Sequence, residues 1–78
     1  MTVKVDHTLD CSGLSCPMPI LKLAKEMKKI GVGQVLELFA TDPGSKGDVP
    51  AWCEKTGNEV LETAEESGTF KYYIRRVK

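Results

Sequence analysis

At 78 residues the chain supports one domain, residues 1–78, near the lower limit for a core that must hold without disulfides or metal. Hydrophobic residues make up 41% and charged residues 28%, the balance of an ordinary soluble globular protein with no run of membrane-spanning length. Eleven basic and eleven acidic side chains cancel, which argues against nucleic-acid binding driven by net charge.

Residues 1–4 lack the apolar core of a secretion signal. A first strand is expected over residues 3–9, with Val3, Val5, His7 and Leu9 on one face and Lys4, Asp6 and Thr8 on the other. A loop, residues 10–15, follows. From Pro17 the period changes: Ile20, Leu23, Ala24, Met27 and Ile30 form a stripe at three- and four-residue spacing, with lysines elsewhere. Gly31 reads as the C-cap glycine of this helix, and Gly33 allows the turn into the next strand. Residues 34–41 read as that second strand, parallel to the first through a right-handed crossover.

The turn-rich loop 42–47 leads to a shorter helix with Val49, Trp52, Cys53 and Thr56 on its inner face. Pro50 suits its first turn, so Asp48 is the preferred N-cap, although Ser45 could start an earlier turn. Gly57 and Asn58 end it. Residues 59–66 and 69–77 read as strands joined by Ser67-Gly68, a hairpin signal. The expected fold is therefore α+β: a two-layer sandwich in the order β-α-β-α-β-β, with one four-stranded mixed sheet and two helices on one face.

The chemistry centres on Cys16, which opens Cys-Pro-Met-Pro at the start of the best helix pattern. Pro17 fits the first helical position, with φ preset and a missing N–H that would have been unpaired there. Cys16 then falls at the N-cap, where free N–H groups and the helix dipole favour thiolate. Taken alone, a cysteine before a helix reads as inert core. Pro17 and Pro19 argue otherwise, since both occupy slots without an intrahelical N–H partner and stiffen the approach to the helix. Met18 precedes a proline and is biased away from helical geometry, which leaves a regular start at Pro19 as the alternative.

Other candidates carry weaker signals. Cys11, in the same loop, could act as a resolving thiol, while Cys53 beside Trp52 reads as core. His7, the one histidine, reads as structural and leaves Cys16 without an evident base, so no self-contained hydrolase or acyl transferase is expected. Four ligands at workable spacing are not visible, so no metal is expected, and no cofactor loop is evident. Asp10 could accept loop N–H bonds, Gly13 supply a turn and Leu14 plug the core. Lys46, after the second strand, should rim Cys16, because loops following parallel strands emerge at one edge. Lys22 and Lys25 with Lys29 read as a solvated helix face, or as a docking face for an acidic partner.

The segment 10–19, Asp-Cys-Ser-Gly-Leu-Ser-Cys-Pro-Met-Pro, resembles the N-terminal signature of the TusA/SirA-like sulfur-carrier family. Asp42-Pro43, then Asp48 to Cys53 and Gly57-Asn58-Glu59, are similar to that family's second half, so the resemblance spans nearly the whole chain. It implies a fold like the C-terminal domain of translation initiation factor three. It also implies that Cys16 carries sulfur as a persulfide, supported by the motif residues Asp10, Gly13, Leu14, Pro17 and Pro19. The implied partners are a cysteine desulfurase or rhodanese-like donor and a downstream acceptor protein, in tRNA thiolation, sulfur oxidation or related trafficking. A persulfide carrier needs an accessible low-pKa thiol and little else, because the reactive sulfur brings its own leaving group. The alternative is a redox-regulatory or binding module using Cys11 and Cys16. An odd cysteine count and free thiols fit a cytoplasmic setting, with no membrane and no direct nucleic-acid partner expected.

Overall fold

The computed structural model describes residues 4–15 and 18–77. Their elements run β1 (His7–Cys11), α1 (Met18–Met27), β2 (Val35–Ala40), α2 (Ser45–Thr56), β3 (Glu59–Glu66) and β4 (Thr69–Arg75). The sheet order is β1-β2-β4-β3: β1 pairs with β2 in parallel, and β4 pairs antiparallel with both β2 and β3. This is the expected mixed sheet.

One face of the sheet is apolar because alternate residues point the same way. Leu36, Leu38 and Ala40 of β2 stand opposite Ile74, Tyr72 and Phe70 of β4, and all six are buried. α1 lies over β1 and β2, and α2 over β4 and β3. The predicted stripe of α1 faces inward, with Leu23, Met27 and Ile30 buried and Ile20 packed at the margin. Full burial of a side chain such as Leu23 stabilises by about 2 kcal/mol. Each helix starts beyond the C-terminal end of β1 or β2 and runs back toward the opposite end of the strands, where β2 or β3 begins. The two helices therefore run side by side with their N-termini at one end of the molecule.

Several boundaries depart from the sequence expectation. The first strand lies at His7–Cys11 rather than over residues 3–9, of which 1–3 are outside the described residues. Its pairing starts with Asp6, whose N–H reaches Val35 O and whose carboxylate accepts from Val35 N, both at 2.9 Å. It continues to Cys11, opposite Ala40. His7 is exposed at the strand's end and is no core residue. Helix α1 stops at Met27; tighter i→i−3 bonds follow from Lys28 N to Lys25 O and Lys29 N to Glu26 O. Gly31 is not the left-handed cap, and instead its N–H is held by Gln34 Oε1 at 2.7 Å. β4 ends at Arg75, although Arg76 N still donates to Gln34 O.

Asp48 is not the N-cap of α2. The helix begins at Ser45 after Gly44, which places Asp48 in its first turn and Pro50 inside it. The reason is tertiary. Ser45, 2% exposed, is pinned by a 2.7 Å hydrogen bond between its hydroxyl and that of Tyr72 on β4. The first turn is tight, with Lys46 N and Gly47 N bonded three residues back to Pro43 O and Gly44 O, and Pro50, in the turn after it, contributes no N–H of its own. At the other end Gly57, φ 81°, is the expected left-handed C-cap, its N–H reaching Glu54 O. Ser67 and Gly68 both have positive φ, 51° and 81°, as a two-residue hairpin requires. Thr56, expected on the inner face, is exposed, with its hydroxyl returned to Trp52 O.

Candidate functional site

Cys16 and Pro17 lie outside the described residues, so the site is built from what flanks them. β1 delivers the chain to the end of the sheet where both helices begin. Asp10 accepts the Ser12 N–H at 2.9 Å, and its hydrogen bonds from Ser12 hold its carboxyl below the usual carboxylate range. Leu14 N donates to Cys11 O at 3.2 Å, and the Leu14 side chain packs against the core. Gly13 turns the loop with φ 80°. An added Cβ there would meet nothing within 4 Å, so backbone conformation and not space requires glycine. The Gly13 N–H crosses to Thr41 Oγ1, 2.8 Å away in the loop after β2. Met18 N then donates to Ser15 O at 2.9 Å, and Pro19 is buried in the first turn of α1.

The other two cysteines are withdrawn from this surface. Cys11 is the last residue of β1 and not a loop residue; it is 0% exposed. Burial pushes its thiol up, against the opposing pull of the Lys22 charge. A thiol so placed is poorly suited to the resolving role that a loop position suggested. Burial likewise pushes Cys53, on the inner face of α2, up to about 11. At neutral pH its thiolate fraction is of order 10⁻⁴. Both cysteines are free.

The three lysines separate. Lys22 and Lys25, with Lys29, Glu26 and Leu9, line a shallow groove of about 180 Å³ along α1. Lys29 pairs with Glu26 at 3.2 Å. Lys46 turns the other way: its ammonium lies 3.1 Å from Glu65 on β3 and 4.8 Å from the centre of the Phe70 ring. It rims a groove of about 370 Å³ between α2 and β3–β4, lined also by Pro50, Phe70 and Tyr72. The expected place of Lys46 beside Cys16 lies outside the described residues; within them, Thr41 is the residue after β2 that bonds to the β1–α1 loop.

Two apolar residues of α1, Met18 and Leu21, are exposed, a feature beyond the sequence reading, which considered Met18 only for its place before Pro19. Met18 is 42% exposed and Leu21 52% exposed. Their signal was present: both fall off the stripe formed by Ile20, Leu23, Ala24 and Met27, on the solvent side. They put apolar surface next to the Lys22 and Lys25 cations. Among the described residues no group of three or more His, Cys, Asp or Glu side chains could hold a metal ion, and no helix is long and apolar enough to cross a membrane.

Comparison with known proteins gives this arrangement a context. Residues 7–76 match the protein family described as sulfurtransferase TusA. The chain is 48% identical over 71 residues to the sulfur carrier protein TusA of Allochromatium vinosum, covering 91% of this chain and 93% of that protein. It is 42% identical over 74 residues to the putative sulfur carrier protein YrkI of Bacillus subtilis, covering 95% and 99% respectively. The crystal structure of a SirA-like protein from Desulfitobacterium hafniense superposes with a TM-score of 0.80 at 22% identity, over 92% of this chain and 99% of that one. That likeness bears on the fold.

Proposed function

The chain belongs to the TusA sulfurtransferase family, and from that premise we propose that it is a sulfur carrier whose Cys16 accepts sulfur as a persulfide. The observation that carries this reading is the burial of the alternatives. Cys11 and Cys53 are both enclosed with raised thiols, which leaves Cys16, between an exposed loop and the start of α1, as the cysteine suited to exchange.

The step is thiol–persulfide exchange. The Cys16 thiolate attacks the outer sulfur of a donor persulfide, the donor's S–S bond breaks, and the donor sulfur leaves as a thiolate. Cys16 then carries S–SH, with no net oxidation or reduction. Onward transfer is the same reaction in the opposite direction, with an acceptor thiolate attacking the outer sulfur. No base is required on Cys16 once it is ionised, and no pocket enclosing a substrate is needed. The donor is a cysteine desulfurase or rhodanese-like protein, and the acceptor a further protein of a sulfur-trafficking route. Met18 and Leu21 supply an apolar contact and Lys22 and Lys25 a cationic rim for such partners. Asp10, Gly13, Leu14 and Pro19 shape the approach to the cysteine.

Intact mass after incubation with a cysteine desulfurase and free cysteine tests the reading. Gain of about 32 Da, one sulfur atom, on Cys16 is expected, and Cys16→Ser should abolish it while leaving stability within about 1 kcal/mol, because serine is nearly the same size and shape and is well tolerated near a helix start. Absence of the adduct on the unaltered protein would sink the carrier role. Loss of two protons shared between Cys11 and Cys16 would favour the redox module instead, against the burial of Cys11.

A further inference from the structure

We infer that Thr41 is a positioning residue for sulfur transfer: its hydroxyl latches Gly13, and through it the segment leading to Cys16, against the central strand β2. The inference rests on the carrier reading above. Three N–H groups of the β1–α1 loop have defined partners. Ser12 N goes to Asp10 and Leu14 N to Cys11 O, bonds made within the loop or to the end of β1, so they travel with it. Gly13 N goes to Thr41 Oγ1 at 2.8 Å, across a sequence separation of 28 residues. This bond ties the loop to a second strand.

Its location matters because Gly13 is the residue at which the loop turns, with φ 80°. On the side where a Cβ would stand it meets nothing within 4 Å, so no side-chain packing fixes its conformation. Glycine also visits more backbone conformations than any other residue. A hydrogen bond at that residue selects one of them. Thr41 can serve as the fixed point because it directly follows Ala40, which pairs with Cys11 on one side and Phe70 on the other. Thr41 is itself exposed, so core packing gives no reason for its side chain, whereas the hydrogen bond does. Cys16 follows Gly13 by three residues, close enough for a change at Gly13 to redirect it.

The test compares Thr41→Val, which keeps the shape and removes the acceptor, with Thr41→Ser, which keeps the hydroxyl. Three quantities are read: the sulfur-loading rate from a cysteine desulfurase, the pH profile of Cys16 alkylation by iodoacetamide, and hydrogen exchange of the Gly13 amide. Thr41→Val should slow loading about five- to tenfold, as expected for loss of one hydrogen bond that orders the reacting group. It should also speed Gly13 exchange and move the midpoint of alkylation, with little change in melting temperature; Thr41→Ser should restore all three. Wild-type loading and alkylation profile in Thr41→Val, or failure of Thr41→Ser to rescue, would overturn the inference. If the unaltered protein takes up no sulfur, the carrier reading falls, and the alkylation and exchange measurements still decide whether Thr41 positions the cysteine.

Discussion

Burial withdraws Cys11 and Cys53 from solvent and raises both thiols. The Cys53 thiol is raised to about 11 by desolvation, from the ordinary value near 9. A group whose pKa is higher in the folded state contributes stability below its unfolded pKa and loses it as pH rises through the folded value. Folding stability should therefore decline between about pH 9 and pH 11, by about 3 kcal/mol for a two-unit shift. Denaturant unfolding measured across that range should show a shallower decline in Cys53→Ala than in the wild type; identical slopes would contradict the assignment. The Tyr72 hydroxyl, also raised by burial, acts with the same sign, so the variant should retain a residual slope. At neutral pH, iodoacetamide should label Cys16 well ahead of Cys11 and Cys53, with the two buried thiols reacting only on unfolding.

Among the elements, α2 shows how one tertiary bond settles a local choice. Ser45 and Asp48 are both acceptable near a helix start, and Pro50 is easiest to place when Asp48 caps. The buried Ser45–Tyr72 bond wins, since a hydroxyl hidden on either side without a partner costs about 1–3 kcal/mol. Tyr72→Phe and Ser45→Ala should each destabilise by roughly that amount. The double variant should cost less than their sum, because removing both hydroxyls leaves neither unpaired. Additive losses in a denaturant double-mutant cycle would mean the bond has no energetic weight. β3 shows a second such adjustment: a bulge between Val60 and Glu62 shifts the register with β4, so Val60 and Leu61 are both half-buried.

For the whole molecule, zero net charge conceals segregation. The edge strand β3 carries Glu59, Glu62, Glu65 and Glu66, three of them paired with Arg75, Lys46 and Lys71. The groove on α1 carries Lys22, Lys25 and Lys29 against one glutamate. A partner approaching the start of α1 therefore meets cations beside the exposed Met18 and Leu21. Reversing Lys22 and Lys25 to glutamate should slow sulfur transfer several-fold at low ionic strength, with the gap narrowing as salt screens the charges over about 10 Å. Alkylation of Cys16 by a small reagent should be spared. Unchanged transfer at low salt would remove the lysines from the docking surface.

The order of elements, the inward stripe of α1, its start between Pro17 and Pro19 and the hairpin at Ser67-Gly68 were legible from the sequence by itself. Each is written in short-range signals: a period of two or of three to four residues, a glycine at positive φ, two prolines flanking one helix start. The tertiary structure alone decided that Cys11 ends a strand inside the core, that α2 starts at Ser45, that Lys46 turns to Glu65, and that Thr41 holds Gly13. Those outcomes depend on groups 19 to 29 residues apart along the chain: Cys11 opposite Ala40, Ser45 bonded to Tyr72, Lys46 to Glu65, Gly13 to Thr41. Local preference at these positions was nearly balanced, so the partner brought close by the fold determined the result.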